Sequence, residues 1–355
     1  MADPQFRWSP ETRLHVSGGA APIRALREAI REGGEFTVSP AGIAPHARGV
    51  AGYFRTRSAG TTGAAKTIRR SHASWIASFE VNRAHLDLGA ADRYGVLGDP
   101  VHSLALYAIV EAAHLGADLD CLAGMRPDRQ ARHLAEAGVS ILYATPTQLL
   151  GLCAPGLPLP ALRHILCGGG RLPEGLRARV EALCPNATMR EFYGAAETSF
   201  IAWGDGSGPP GSVGRPYPGA EVRIGPSGEI WVRSPYLFDG YAEGDSPHTR
   251  RENGFVTVGE MGGIDPDGFL TVAGRRSRMV TVADQNVFPE EIEAFLLGDP
   301  SVAHCAVVPR ADPLRGNVLI AVIPGPLDGA TRDRLMARCR AAFGPLAAPR
   351  EIVTP

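Results

Sequence analysis

Lysine is almost absent from this 355-residue chain: of its 36 basic residues, 35 are arginine and only Lys66 is lysine. The skew reads as genome base composition, since the 37 acidic residues bring the net charge to −1. Such a balance gives no electrostatic case for nucleic acid or an anionic membrane as partner. Long apolar runs are missing too. The stretch Leu104–Ala113 is far too short for a membrane span. Met1-Ala2-Asp3-Pro4 lacks the basic-then-apolar order of a signal peptide. The six cysteines (121, 153, 167, 184, 305 and 339) contain no Cys-x-x-Cys pair and no histidine spacing suited to zinc. They read as free thiols of a reducing compartment, which predicts a cytoplasmic protein.

Against that background the solitary lysine marks a place that arginine does not fill. It closes the run Ser58-Ala59-Gly60-Thr61-Thr62-Gly63-Ala64-Ala65-Lys66. Gly60 and Gly63 let the backbone fold back on itself. The freed N–H groups, with the Thr61 and Thr62 hydroxyls, can cradle phosphate oxygens. Lysine then serves as a flexible point charge on a phosphate. A Gly/Thr turn that happens to hold a lysine is the plainer alternative.

Helices are expected at 23–32, 71–82, 104–115, 128–137, 147–152 and 173–183, with strands at 94–97, 140–144, 164–167 and 188–192. This alternation predicts an α/β domain with a largely parallel sheet. From about 211 the texture becomes β-rich, with strands at 221–224, 229–233, 255–258 and 269–273 between Gly, Pro and Asp turns. That section is expected to form a small barrel or curled sheet. A small α+β unit follows, with helices at 289–297 and 331–343 and strands at 302–308 and 318–323. The predicted organisation is a large domain over 1–274 and a small mobile domain over 275–355. A hinge is expected at Gly274-Arg275-Arg276-Ser277-Arg278.

Three more segments carry chemistry. Tyr193-Gly194-Ala195-Ala196-Glu197 follows a strand, so it should sit at the carboxyl end of the sheet, where α/β proteins place ligands. Its tyrosine offers a flat face to a purine, and its glutamate offers oxygen to magnesium. Gly168-Gly169-Gly170 ends another strand and permits close approach of backbone to a planar ring. Glu260 and Arg275 are a carboxylate and an arginine suited to ribose hydroxyls. Singly, each has a bland reading as a turn or a surface ion pair.

In order and spacing, these segments resemble the adenylate-forming acyl-CoA synthetases and their AMP-binding relatives. Ser58–Lys66 is similar to the family's Thr-Ser-Gly-Thr-Thr-Gly-x-Pro-Lys, and Tyr193–Glu197 to its Tyr-Gly-x-Thr-Glu. Gly254–Glu260 resembles Gly-Trp-x-x-Thr-Gly-Asp, and Asp267–Arg275 resembles Asp-Gly-Phe-x-x-x-x-Gly-Arg. Asn286–Glu293 resembles Asn-Val-x-Pro-x-Glu-Ile-Glu. The resemblance implies that Gly60, Thr61, Thr62, Gly63 and Lys66 hold the phosphates of ATP. It places Tyr193 and Gly194 on adenine beside Gly168, Gly169 and Gly170, Glu197 on magnesium, and Glu260 with Arg275 on the ribose. Lys66 and Glu197 would be the catalytic residues. His102 falls where the family lines its acid pocket, and Ser199 and Phe200 are expected at the pocket floor. Trp75, Phe79 and Trp203 are equally readable as acyl slot or core. The implied reaction activates a small carboxylic acid as acyl-AMP, releases pyrophosphate, and transfers the acyl group to coenzyme A.

The chain departs from the pattern in several places. Ala196 stands where threonine is expected, and Glu260 where aspartate is. Ala283-Asp284 stand where the CoA ligases carry glycine beside the pantetheine channel, which leaves room for a carrier-protein phosphopantetheine as acceptor instead. Only 57 residues precede the phosphate loop, as in the compact subgroup that includes short o-succinylbenzoate–CoA ligases. Pro349–Pro355 stops before the family's Gly-Lys segment, so a C-terminally shortened chain is expected. A degenerate adenylation fold kept as a binding or scaffold protein is the rival from another class. A Walker-type phosphohydrolase is disfavoured because Ala65, not glycine, precedes Lys66. The particular acid and the oligomeric state are not written in these motifs.

Overall fold

The strands Arg93–Val96, Ile141–Ala144 and His164–Cys167 are short, almost wholly buried segments. Segments buried on both faces belong inside a parallel sheet covered by helices. The computed structural model, which describes residues 4–18, 20–57, 66–283 and 285–354, has that arrangement. Its largest sheet has the spatial order Leu14–Val16, Asp118–Cys121, Arg93–Val96, Ile141–Ala144, His164–Cys167, Thr188–Ala195, Ser199–Gly204, Arg215–Pro216. The first six strands pair in parallel and the last two antiparallel.

Alternation along these strands feeds two cores, because successive side chains point to opposite faces. Tyr94, Val96, Ile141, Tyr143 and Leu166 join one core with Trp75, Phe79 and residues of the helix Ser103–Leu115. Leu97, Leu142, Ala144, Ile165 and Cys167 join the other, under the helices Pro127–Ala137, Pro146–Cys153 and Glu174–Leu183. The expected helix at 71–82 runs over His72–Leu86, with the Ser71 hydroxyl accepting from the Ser74 N–H at its start. All six cysteines are free, five of them buried. Among the described residues no helix is long and apolar enough to cross a membrane.

A second sheet has no counterpart in the sequence-based expectation, which placed one helix at 23–32 and no strand before residue 58. Its spatial order is Gly240–Glu243, Thr67–Ser71, Tyr53–Arg57, Phe36–Ser39, Gly42–Pro45. Arg57 and Thr67 are register partners in it, so both flanks of the phosphate-loop run leave from the same end of one strand pair. Gly60, Thr61, Thr62 and Gly63 themselves lie outside the described residues.

The β-rich section takes the sheet form of the two expected and not the barrel. Glu221–Ile224, Ile230–Arg233, Phe255–Thr257 and Arg250–Glu252 form a four-stranded sheet, and Glu260–Ile264 with Leu270–Arg275 forms a ribbon. A single Glu229↔Met261 bridge links them. These strands do not close into a barrel among the described residues, because Gly240–Glu243 leaves to pair with Thr67–Ser71.

The C-terminal part is a smaller α/β unit with its own core, built from Val282, Ile292, Leu296, Val307, Leu319 and Leu335 among others. Its strand expected at 302–308 starts later, at Ala306, and runs to Asp312. The reason is Asp299, whose carboxylate accepts from the Ser301 N–H and hydroxyl and from Arg334 and Arg338, fixing a turn there. Arg276–Arg278, in the expected hinge, form one 3-10 turn.

Candidate active site

The ribbon Glu260–Ile264/Leu270–Arg275 sets Glu260 directly opposite Arg275, their charged groups 3.6 Å apart. The Tyr193 hydroxyl donates to the other carboxylate oxygen of Glu260. Three residues spaced over 82 positions thus meet, joining the end of the main sheet to the ribbon. Burial pushes the Glu260 carboxyl above its ordinary range, against the pull of the Tyr193 hydroxyl and Arg275. The Tyr193 phenol is raised well above its usual value, first by burial and then by Glu260.

Beyond Tyr193 the chain turns back on itself from Thr188–Ala195 into Ser199–Gly204, with a register shift at Tyr193/Gly194. A Cβ on Gly194 would stand 1.8 Å from the Ser199 carbonyl oxygen, so only glycine fits. Ser199 itself takes a left-handed φ of 56°. The Thr198 hydroxyl accepts from the Ala195 N–H at 3.0 Å and closes the turn. Glu197 rides on this turn, and the Tyr241 hydroxyl donates to its Oε1 at 2.9 Å.

Beneath the turn lies Arg70, which sequence reasoning passed over. It is fully buried, and among the described residues no carboxylate forms an ion pair with it. Its guanidinium donates to the carbonyl of Ala196 at 2.6 Å, the carbonyl of Tyr236 at 2.5 Å and the Ser74 hydroxyl at 3.2 Å. Burial lowers its pKa to about 9, with the Glu197 charge opposing that shift. A buried cation costs several kcal/mol unless well bonded; here two of its three bonds go to main-chain carbonyls, one of them at Ala196 next to Glu197. In the pattern of residues 66–72 it looked like one more arginine of an arginine-rich chain.

These elements wall a cavity of about 650 Å³. Lys66, Glu197 and Arg275 line it, as do His102, Gly169, Gly194, Ser199 and Phe200. Trp75, Tyr107 and Phe192 give it an aromatic wall, and Arg57 and His248, unforeseen from sequence, complete its polar side. Lys66 sits with its ammonium 5.6 Å from the centre of the Tyr241 ring. His102 precedes the helix Ser103–Leu115 without capping it, which leaves its side chain exposed beside the cavity. Gly168, Gly170, Tyr193 and Glu260 are not among the residues that line it. The ring that needs Gly168 is the protein's own Phe192, which a Cβ would meet at 2.2 Å. Gly169 has φ of 79°, a glycine conformation. Of the other aromatics, Phe79 is plain core and Trp203 packs on Tyr217, facing away from this cavity. Ala283 has φ of 52°, a glycine-favouring backbone retained by alanine; Asp284 lies outside the described residues.

Behind the aromatic wall is a second feature without a sequence signal. Glu111 is wholly buried and accepts from Asn82 at 2.8 Å, Tyr143 at 2.6 Å, Tyr94 at 3.2 Å and Tyr107 at 3.4 Å. Among the described residues no cation forms an ion pair with it, and burial raises its carboxyl to about 7 despite those four donors. Tyr107 connects this network to the cavity.

The architecture of a parallel sheet, an antiparallel β section and a small C-terminal unit is that of adenylate-forming enzymes. Solved structures of the same fold include o-succinylbenzoate CoA synthetase from Bacillus subtilis in complex with the acyl-adenylate intermediate. That structure has a TM-score of 0.75 and 23% identity, over 85% of this chain and 65% of that one. The sequence profile of the AMP-binding enzyme matches residues 58–242, and that of the AMP-binding enzyme C-terminal domain matches 291–354. The chain belongs to the AMP-binding enzyme family. It is 31% identical over 315 residues to the uncharacterized acyl–CoA ligase YhfT of Bacillus subtilis, covering 85% of this chain and 64% of that protein. To the 2-succinylbenzoate–CoA ligase of Bacillus velezensis it is 28% identical over 296 residues, or 79% of this chain and 60% of that protein. The chain therefore spans less than two thirds of the length of these relatives.

Proposed function

We propose that this protein is an ATP-dependent acid–thiol ligase. A carboxylate oxygen of an acyl or aryl acid attacks the α-phosphorus of ATP and pyrophosphate leaves. A thiol sulfur then attacks the acyl carbon, and AMP leaves with the former carboxylate oxygen. The observation that carries this reading is the convergence of Lys66, Glu197 and Arg275, from three distant segments, on one cavity with an aromatic wall. Positive groups meet phosphate on one side, and apolar rings meet an acyl or aryl chain on the other.

In this reading Lys66 and the glycine–threonine run hold the phosphates. Glu197 would supply a carboxylate oxygen to magnesium, which would neutralise phosphate charge. The carboxylate fits a hard cation because it lines the cavity and, among the described residues, its hydrogen-bond partner is the neutral Tyr241 hydroxyl. Arg275 and Glu260 bind the ribose, with Tyr193 holding Glu260 in place. His102, Ser199 and Phe200 border the acid. Coenzyme A is the proposed thiol, supported by the CoA ligases among the relatives. Residues 275–355 form the mobile unit; a Cβ on Gly274 would meet the Glu290 carboxylate at 2.7 Å, so the hinge packs closely on the helix Pro289–Leu297.

The test is acid-dependent exchange of labelled pyrophosphate into ATP over a panel of aryl and acyl acids, followed by thioester formation with CoA. Lys66→Ala should lower exchange at least about tenfold, or about 1.4 kcal/mol, with the circular dichroism unchanged. ATP cleavage to ADP, or exchange indifferent to Lys66, would sink the reading. A carrier protein that accepts the acyl group where CoA does not would correct the acceptor alone.

A further inference from the structure

On the far edge of the main sheet, away from the cavity residues, the strand Leu14–Val16 pairs with Asp118–Cys121 and sets His15 directly opposite Asp120. The helix Pro127–Ala137 lays His133 across the same face, its Nε2 3.0 Å from the Asp120 Oδ1. The two imidazoles stack, with ring centres 4.7 Å apart. One nitrogen from each histidine and one carboxylate oxygen all lie within 4.8 Å of one another. We propose that His15, Asp120 and His133 bind a divalent transition-metal cation, zinc in the first instance.

The donor set decides the class of ion. Two imidazoles and one carboxylate suit zinc and its neighbours, whereas calcium and magnesium take oxygen ligands. Ligands about 2.0–2.2 Å from a tetrahedral zinc sit roughly 3.4 Å apart. His133 and Asp120 already meet that spacing, and His15, on an exposed side chain, needs only a small swing to close on them. Its present partner on Nε2 is the Ser17 hydroxyl at 2.8 Å, a weak bond for a metal to displace. Arg93 pairs with the Asp120 carboxylate as a fork, at 2.5 Å to Oδ2 and 3.1 Å to Oδ1, the oxygen that also faces His133. It would remain as the outer partner that orients the carboxylate, while its charge restrains affinity. Three protein ligands leave a fourth position for water. Because the ligands come from an edge strand, its neighbour and a covering helix, the ion would tie the first strand of the chain to the sheet.

The experiment is a calorimetric titration of the chelator-stripped full chain with zinc, with cobalt as the spectroscopic probe. One equivalent should bind, and the melting temperature should rise with zinc concentration as mass action requires. Cobalt should give weak visible bands of nitrogen and oxygen ligation without a thiolate charge-transfer band. His15→Gln alters only an exposed side chain, so it folds; together with His133→Gln it should weaken zinc binding at least tenfold each. His304→Gln, on another exposed histidine, should leave binding unchanged. A thiolate band, binding equally weakened by His304→Gln, or no binding at micromolar zinc would overturn the proposal.

Discussion

Replacing Glu111 by glutamine should change how stability depends on pH. In the folded protein burial raises this carboxyl from 4.5 to about 7. An acid whose folded pKa lies above its unfolded value holds its proton longer when folded, so stability falls as pH rises from about 4.5 through 7. At about 1.4 kcal/mol per pH unit, the full effect is about 3 kcal/mol, of which roughly 2.5 falls between pH 5 and 8. His72 and His114 act in the opposite sense: burial lowers both to about 4, so they favour folding as pH rises from about 4 to 6.5. The stability of the natural protein mixes these effects, but the difference between it and Glu111→Gln cancels the histidines. Glutamine keeps one acceptor for the Tyr94, Tyr143, Tyr107 and Asn82 donors and turns the other into a donor. That mismatch costs about 1–2 kcal/mol at every pH. Urea unfolding at pH 5 and pH 8 should therefore show the variant less stable at pH 5 and gaining about 2.5 kcal/mol on the natural protein by pH 8. Parallel pH profiles, within about 0.5 kcal/mol, would refute the argument that a proton sits on Glu111.

Gly194→Ala should cost roughly 3 kcal/mol or more, because its Cβ would fall 1.8 Å from the Ser199 carbonyl and the turn under Glu197 cannot keep its register; a urea midpoint matching the natural protein would contradict that geometry. Arg70→Met keeps the volume but leaves the Ala196 and Tyr236 carbonyls without their donor. The turn under Glu197 should loosen, raising the magnesium needed for half-maximal pyrophosphate exchange on the order of tenfold. An unchanged magnesium dependence would mean that Arg70 serves the fold alone.

The chemistry-bearing segments were legible because each is a local pattern: glycines and hydroxyls before a lone lysine, a Tyr-Gly turn after a strand, and a carboxylate at the end of a short strand with an arginine 15 residues later. The parallel sheet was legible for a similar reason, since buried four-residue strands alternating with helices leave few other arrangements. The second sheet was not, because Phe36–Ser39 and Tyr53–Arg57 are only four and five residues long and the edge strand Gly240–Glu243 joins Thr67–Ser71 from 176 positions away at Glu243↔Thr67. Of the two forms expected for the β-rich section, that same long-range pairing leaves the open sheet and not the barrel. Arg70 and Glu111 were invisible for another reason. A charged residue in a helix or strand reads as a solvated face, and only packing shows that no water reaches it.

Sequence alone determined the family, through the order of its motifs, and the residue types that converge on the cavity. Tertiary structure alone decided which of them line it: Lys66, Glu197 and Arg275 do, while Glu260 reaches it through its contact with Arg275, and Tyr193 through Glu260. The physical reason is that sequence spacing sets which atoms a segment carries and which side of a strand they leave from. The distance between atoms of different segments is set by strand register and core packing, which bring Tyr193, Glu260 and Arg275 together and bury Arg70 beneath the turn.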